Sequence, residues 1–378
     1  MSSLMEEAAR SAGSHDFGDL DFIHALELLL ASCREANTLT ALGWRVLRNS
    51  GISHLRNRLM VQAFLRAHPR VAQEPPRGAI VITGLPRTGT TVLHNLFALD
   101  PRNRFLRLWE ALRPLPAASI AERAARIERA RSWLQRFYET VPGFETIHPL
   151  APEGPEECDA LLQNSFVSQH FSDMFDAPEY SDWLLGADLT REYSHYALQL
   201  RVLASGDRER APWVLKSQLH LGHLDALLQA LPDALIVHCH REPLEAVASY
   251  ASLMSALRRA YTVEVSSRAV GRQALQRCAT ALSGALAVRE SEGGPAVVDV
   301  SYHEIVRDPV SVVRRIYRRA GRSLSEDGEA RMRQWVALNP KDRHGEHRYS
   351  PADFGLTRRD VDDAFAPCMQ GLAALAHT

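Results

Sequence analysis

The chain begins with a helical rhythm of apolar and polar positions. In LDFIHALELLLASCREA apolar residues recur three and four positions apart, and HLRNRLMVQAFLRAHP repeats the pattern. Residues 1–74 therefore read as amphipathic helices, ended by Pro75-Pro76. From residue 78 the pattern changes. GAIVITG is an unbroken apolar run closed by glycine, as expected of a central parallel strand buried on both faces. PWVLKS, ALIVHCH and AVVDVS read as further strands, and FLRLWE as one more. Between them TTVLHNLFAL, AERAARIERARSWLQRFYE, EECDALLQNSFVSQHFSDMF and LGHLDALLQAL predict helices. Strands alternating with helices predict an α/β fold with three α/β/α layers and a central parallel sheet. Residues 1–74 are expected to be a helical cap, with one face available to wall a pocket, and residues 75–378 the main domain.

Composition narrows the class. The 378 residues are 46% apolar and 24% charged, which describes a globular chain. Lys plus Arg number 44 against 45 acidic residues, so the net charge of -1 gives no reason to expect nucleic acid or an anionic membrane as partner. Five scattered cysteines without a CxxC pair argue against a disulfide framework or a zinc knuckle. The acidic opening MSSLMEEAARSAGSHDFGDLDF lacks a secretory pattern, and no run of about 18 apolar residues predicts a membrane span. A cytoplasmic location is the expectation. Oligomeric state is not legible.

The segment GLPRTGTT, Gly84 to Thr91, carries the most chemistry. It follows a buried strand and opens a helix, where backbone N–H groups and the helix N-terminus hold anions. Gly84 and Gly89 have the spacing of the ATP-binding loop, yet Thr90 stands where that loop has lysine, and Arg87 brings the positive charge. The change weakens a kinase reading, as does the lack of a clear acidic magnesium ligand after a strand. The bland alternative is a structural strand-to-helix turn.

PRTGTT resembles the 5′-phosphosulfate loop of the sulfotransferase superfamily that uses 3′-phosphoadenosine 5′-phosphosulfate (PAPS), in its bacterial branch. HREPLEAVASY is similar to the family's second element, in which an arginine after a strand and a serine two helical turns on bind the 3′-phosphate. The resemblance covers roughly residues 75–360 and implies a P-loop-like sulfotransferase fold, PAPS as donor, adenosine 3′,5′-bisphosphate (PAP) as product, and no metal. It implies Arg87, Thr88, Gly89, Thr90 and Thr91 at the phosphosulfate, and Arg241 and Ser249 at the 3′-phosphate. Tyr302 in VSYHEIVRDP resembles a family segment that ends a sheet strand. Lys341, Arg343, Gly345 and His347 lie where other members close a basic loop over the 3′-phosphate, although the local sequence departs from the animal pattern.

For the chemistry, Lys216 resembles the family lysine that contacts the bridging or sulfuryl oxygens. Glu110, ending FLRLWE, is placed first as the base, by resemblance to branches with a glutamate there. His148 is the second candidate. The animal cytosolic enzymes carry their histidine two residues after the lysine, where this chain has Gln218, and His220 lies further on. Glu156 and Glu157 follow Pro155, where favourable charge in a first helical turn is their preferred reading over catalysis. The expected acceptor is a small or lipid-like hydroxyl compound. Trp133, Phe137, Tyr138, Phe144, Trp183 and Tyr196 offer aromatic walls for its pocket, or simply core. A small-molecule kinase and a non-catalytic nucleotide-binding scaffold are the alternatives.

Overall fold

The apolar runs after residue 78 form the sheet. In the computed structural model, which describes residues 1–75, 77–207, 209–291, 294–340 and 349–368, four of them become strands. These are β1 (Ala79–Gly84), β2 (Trp213–Lys216), β3 (Leu235–His240) and β4 (Val297–Ser301), all parallel in the order β2-β1-β3-β4. Every residue of β1 and β2 is buried, whereas the edge strand β4 alternates between buried and half-buried positions. That difference is the reason β1 and β2 read as unbroken apolar runs.

Side-chain alternation along β1 divides the interior. Ile80 and Ile82 pack with Leu93, Phe97, Val313 and Ile316 on one face. Ala79 and Val81 join the larger core on the other face, which also holds Leu29, Leu55 and Leu59 from the N-terminal helices. The expected three layers are present. The helices Ser2–Ala12, Phe22–Ala36, Ala41–Ala67 and Pro69–Gln73 precede the first strand. Arg58 in the third of them is buried, its guanidinium over the Phe22 ring and donating to Ser165 Oγ at 2.9 Å. Among the described residues no helix is long and apolar enough to cross a membrane.

Two expected elements differ. FLRLWE is not a strand. Arg104 makes a single parallel bridge to Trp213, and the helical turn Leu108–Ala111 then begins. The Arg107 N–H caps that turn on the Glu110 carboxylate at 3.0 Å, and the segment bridges Pro155 rather than extending the sheet, with the Glu156 N–H donating to Leu106 O at 2.8 Å. EECDALLQNSFVSQHFSDMF is not one helix but two, Asp159–Leu162 and Gln169–Met174, broken at Phe166 with φ of 57°. Tyr180 holds the break open. Its hydroxyl donates to Phe166 O and accepts from the Ser168 N–H, so a distant side chain takes backbone groups that a continuous helix would have paired.

The strand order sets the place of function. β2 lies on one side of β1, and β3 and β4 lie on the other, so the order reverses between β1 and β3. Ligands of open α/β sheets collect outside the carboxyl ends of strands at such a reversal. Here those ends are Gly84, paired with Cys239, and His240, followed by Arg241.

Candidate active site

The loop after β1 is tightly determined. A Cβ at Gly84 would lie 2.4 Å from Cys239 O, so only glycine lets β1 close against β3 there. Thr88 Oγ1 donates to Leu85 O at 2.8 Å, and Gly89, at φ of 90°, starts the helix Thr90–Ala98. Arg87 has φ of 69°, a left-handed backbone that costs a non-glycine residue about 1–3 kcal/mol. The strained turn directs its guanidinium across the loop, where it donates to Ser249 Oγ at 3.3 Å and to Ile147 O at 2.7 Å. Burial, the largest influence, pulls the Arg87 pKa below its ordinary value, and nearby Arg241 adds to the effect. The loop is a cationic site short of negative charge.

Arg241 and Ser249 belong to the segment after β3. Pro243 begins the helix Pro243–Tyr261, with Ser249 on its buried side. Arg241 donates to the Arg87 carbonyl at 3.1 Å and lies 4.4 Å over the Tyr302 ring. Tyr302, first residue of the helix after β4, also abuts Gly89, where a Cβ would lie 3.3 Å from its ring. Residues from three strand ends thus meet around one loop.

Lys216 closes β2 and is 1% exposed. Its ammonium forms a short contact with a Glu157 carboxylate oxygen and lies 3.5 Å from Thr91 Oγ1. The pairing is fixed by backbone, because the Cys158 N–H donates to Lys216 O at 2.8 Å. His148 Nε2 lies 3.7 Å from the same Glu157 oxygen. Burial acts to raise the Glu157 pKa, but Lys216 and His148 outweigh it and hold the carboxyl below its ordinary value. Burial, then Lys216, lowers His148 to about 4, so its imidazole is neutral at physiological pH. Glu156 makes no ion pair among the described residues, and burial raises it to about 7 although Lys216 pulls the other way.

Glu156, Glu157 and His148 line a cavity of about 190 Å³. Its apolar walls include Leu108, Leu112, Phe144 and Leu253, with Trp133 and Phe137 stacked at 5.4 Å. Ser53, His54 and Asn57 form another wall, so the N-terminal helix Ala41–Ala67 contributes to the cavity.

Known proteins share this fold. The sulfotransferase family model matches residues 79–326, more than half of the chain. The crystal structure of sulfotransferase STF9 from Mycobacterium avium matches with a TM-score of 0.87 and 28% identity, over 98% of this chain and 96% of its own. That of sulfotransferase STF1 from Mycobacterium tuberculosis matches with a TM-score of 0.84 and 30% identity, over 97% and 98%. No curated protein sequence matches. The chain belongs to the sulfotransferase family.

The sulfotransferase brings together Arg87, Thr88, Gly89, Thr90, Thr91, Arg241, Ser249 and Tyr302, with Lys216 at the edge of the group. Lys341, Arg343, Gly345 and His347 lie outside the described residues. Glu110 stands apart. Its carboxylate takes two hydrogen bonds from Arg104, at 2.7 and 2.9 Å, and closes the turn at Arg107, and it does not line the cavity. His220 is buried at 2.8 Å from the Tyr193 hydroxyl, also away from the cavity. Of the aromatic candidates, Trp133, Phe137 and Phe144 line the cavity, whereas Tyr138, Trp183 and Tyr196 do not. Glu156 and Glu157 precede the helix Asp159–Leu162 rather than forming its first turn, so helix-dipole charge does not account for them.

From sequence Glu157 reads as first-turn charge ahead of catalysis, and its pairing with Lys216 is not apparent. A signal was present, since a lysine ending a fully buried strand needs a counter-charge close by. Among the described residues, His238, His240 and Asp299 form a group with metal-ligand spacing. Arg289 binds both Asp299 oxygens, at 2.8 and 2.9 Å, and lies 2.9 Å from His238 Nδ1, which occupies that space. Exchanging Glu110 for Gln should cost the sulfotransferase about 1–3 kcal/mol of stability, because the buried Arg104 loses one carboxylate but keeps Asp207 at 3.2 Å, with turnover largely kept. Urea melts and steady-state rates on E110Q test this; normal stability with lost turnover would return the base role to Glu110.

Proposed function

We propose that this sulfotransferase moves a sulfuryl group from PAPS to a hydroxyl of a small acceptor held in the cavity. The reading rests on one observation above the rest: Arg241 and Ser249, distant in sequence, fold onto the loop that carries Arg87. The loop N–H groups, the N-terminus of Thr90–Ala98 and Arg87 would hold the 5′-phosphosulfate. Arg241, stacked on Tyr302, and Ser249 would hold the 3′-phosphate.

Glu157 takes the place of the base. It faces the cavity beside Lys216, which in turn reaches Thr91 in the loop, so acceptor side and donor side meet at this ion pair. The acceptor oxygen bonds to sulfur as the bond from sulfur to the bridging phosphate oxygen breaks. The hydroxyl proton passes to the Glu157 carboxylate, and PAP leaves with the bond electrons. Neutral His148 orients the hydroxyl, and Lys216 and Arg87 stabilise charge on the sulfuryl and phosphate oxygens. Positioning and fixed charge carry such a transfer, as in phosphoryl transfer.

Isothermal titration of the purified protein with PAP, with magnesium omitted and ATP in parallel, tests the donor assignment. PAP should bind at least about tenfold more tightly than ATP. Folded protein that ignores PAP, or prefers ATP with magnesium, would overturn the assignment in favour of a kinase or a scaffold.

A further inference from the structure

The cavity wall built by the helix Ala41–Ala67 takes no part in sulfuryl transfer as read above, yet its polar groups are held in one orientation. The constraint starts at a backbone carbonyl. Leu161 O can only accept, so the Gln199 group 3.1 Å from it is the amide NH2, and Gln199 Oε1 faces Asn164. Asn164 must then give its own NH2 to Gln199, at 2.7 Å, which turns its Oδ1 toward Ala41–Ala67. Two side chains of that helix donate to this oxygen, Asn57 Nδ2 at 3.1 Å and His54 Nδ1 at 3.0 Å. Asn57 Nδ2 also lies 3.4 Å from Leu112 O, a second carbonyl that admits only a donor. Gln199 and Asn164 are fully buried, so the chain of bonds closes on protein groups.

The outcome is a pair of acceptors. With its proton on Nδ1, His54 keeps a lone pair on Nε2, and burial holds the ring neutral with a pKa of about 4. With its NH2 engaged, Asn57 turns Oδ1 away from Asn164. Neither His54 Nε2 nor Asn57 Oδ1 has a hydrogen-bond partner among the described residues, and neither is sealed from solvent, although Asn57 as a whole is only 4% exposed. Both residues line the cavity, about one turn apart on the same face of the helix.

An acceptor left unmet at so buried a place is costly, so the pair marks a position for donor hydrogens. The charge nearby selects among donors. Arg56 adjoins Asn57 in sequence, and Arg113 adjoins Leu112. Burial pulls the Arg113 pKa below its ordinary value, and Arg126, Arg129 and Arg56 add to the effect against Glu122. A cationic group is therefore disfavoured at this wall, and neutral donors fit it. We infer that His54 and Asn57 form a second recognition point of the cavity, which takes the donor hydrogens of two adjacent hydroxyls of the acceptor, apart from the hydroxyl that reacts. The reacting hydroxyl itself rests on the sulfuryl-transfer reading above. His54 and Asn57 are thus specificity residues for a polyol, and Asn164 and Gln199 are positioning residues behind them.

The test compares hexane-1,2,6-triol with hexan-1-ol, which share a chain and a terminal hydroxyl and differ by the diol. Each is titrated calorimetrically into the protein saturated with PAP. Hexanol is the more apolar, so burial alone favours it. The triol should nevertheless bind about tenfold more tightly. H54F, which keeps a ring but removes both nitrogens, and N57L should each remove most of that advantage. Nitrogen NMR of the histidine rings reads the tautomer directly. His54 should carry its proton on Nδ1, and its Nε2 resonance should move on adding the triol but not hexanol. A triol that binds no more tightly than hexanol, absence of binding included, or a His54 protonated on Nε2, would overturn the inference. Ranking and spectrum need only wild-type protein, so they decide even if the variants fail to fold. A protein that does not bind PAP would sink the donor assignment instead, and the same two measurements in unliganded protein would still judge the His54 and Asn57 pair.

Discussion

Replacing Glu157 by Gln should lower kcat by about a hundredfold to ten-thousandfold, the range associated with losing a positioned general base. Gln keeps the shape and can still hydrogen-bond, so the fold and the Cys158-to-Lys216 backbone contact should survive, at a stability cost of about 3–5 kcal/mol for leaving the buried Lys216 without its carboxylate. PAP affinity should hold or improve, because the exchange frees Lys216 from its carboxylate partner. Loss of turnover with intact PAP binding is the combination that a merely structural Glu157 would not give. Wild-type activity should also show a low acid limb. Lys216 and His148 hold Glu157 below its ordinary pKa against burial, so the active carboxylate persists at neutral pH and is lost only as pH falls through that depressed value. An E157Q enzyme that retained near-normal kcat would move the proton to His148.

Much of this fold was legible because it is written in local pattern. β1, β2 and β3 are short apolar runs bounded by turn residues, and the anion loop follows β1 without interruption. What was not legible depended on partners distant in sequence. FLRLWE has a strand-like composition, but its backbone bridges the irregular stretch at Pro155, and its end is drawn into a turn by Glu110, which accepts from the Arg107 N–H. The break at Phe166 depends on Tyr180, which no helical periodicity in that stretch reveals. The proposed move of the base from Glu110 to Glu157 has the same origin. In the sequence Glu110 ends an apparent strand and Glu157 stands at an apparent helix start, and only the fold shows that Arg104 occupies the first while Lys216 pairs with the second beside the cavity.

The sequence motif and the geometry also explain each other. A lysine-free anion loop needs charge from elsewhere, and the strand order supplies it. The reversal between β1 and β3 places Arg241 beside the Arg87 carbonyl, so one cation braces the backbone that presents the other. Strain at Arg87 is tolerated because Ser249 and Ile147 fix its side chain from the far side.

Arg241 is therefore where donor binding should fail most sharply. Its carboxylate partner among the described residues is Glu245, 58% exposed, and so solvated a pair contributes under about 1 kcal/mol. The guanidinium is consequently available to an anion, while Tyr302 holds its plane at 4.4 Å. R241A should weaken PAP binding by about 2–5 kcal/mol, roughly thirtyfold or more, as expected for truncating a charged partner of a bound phosphate. R241K separates charge from geometry. Lysine keeps the charge but loses both the planar stack and the forked hydrogen bonding, so its affinity should fall between wild type and R241A. The loop itself is brought to account by S249A, which removes an Arg87 contact without changing charge and should cost about 1 kcal/mol. Calorimetry on the three variants decides the matter: the order wild type, S249A, R241K, R241A supports a phosphate held by Arg241, and equal PAP affinity in R241A and wild type would place the 3′-phosphate elsewhere.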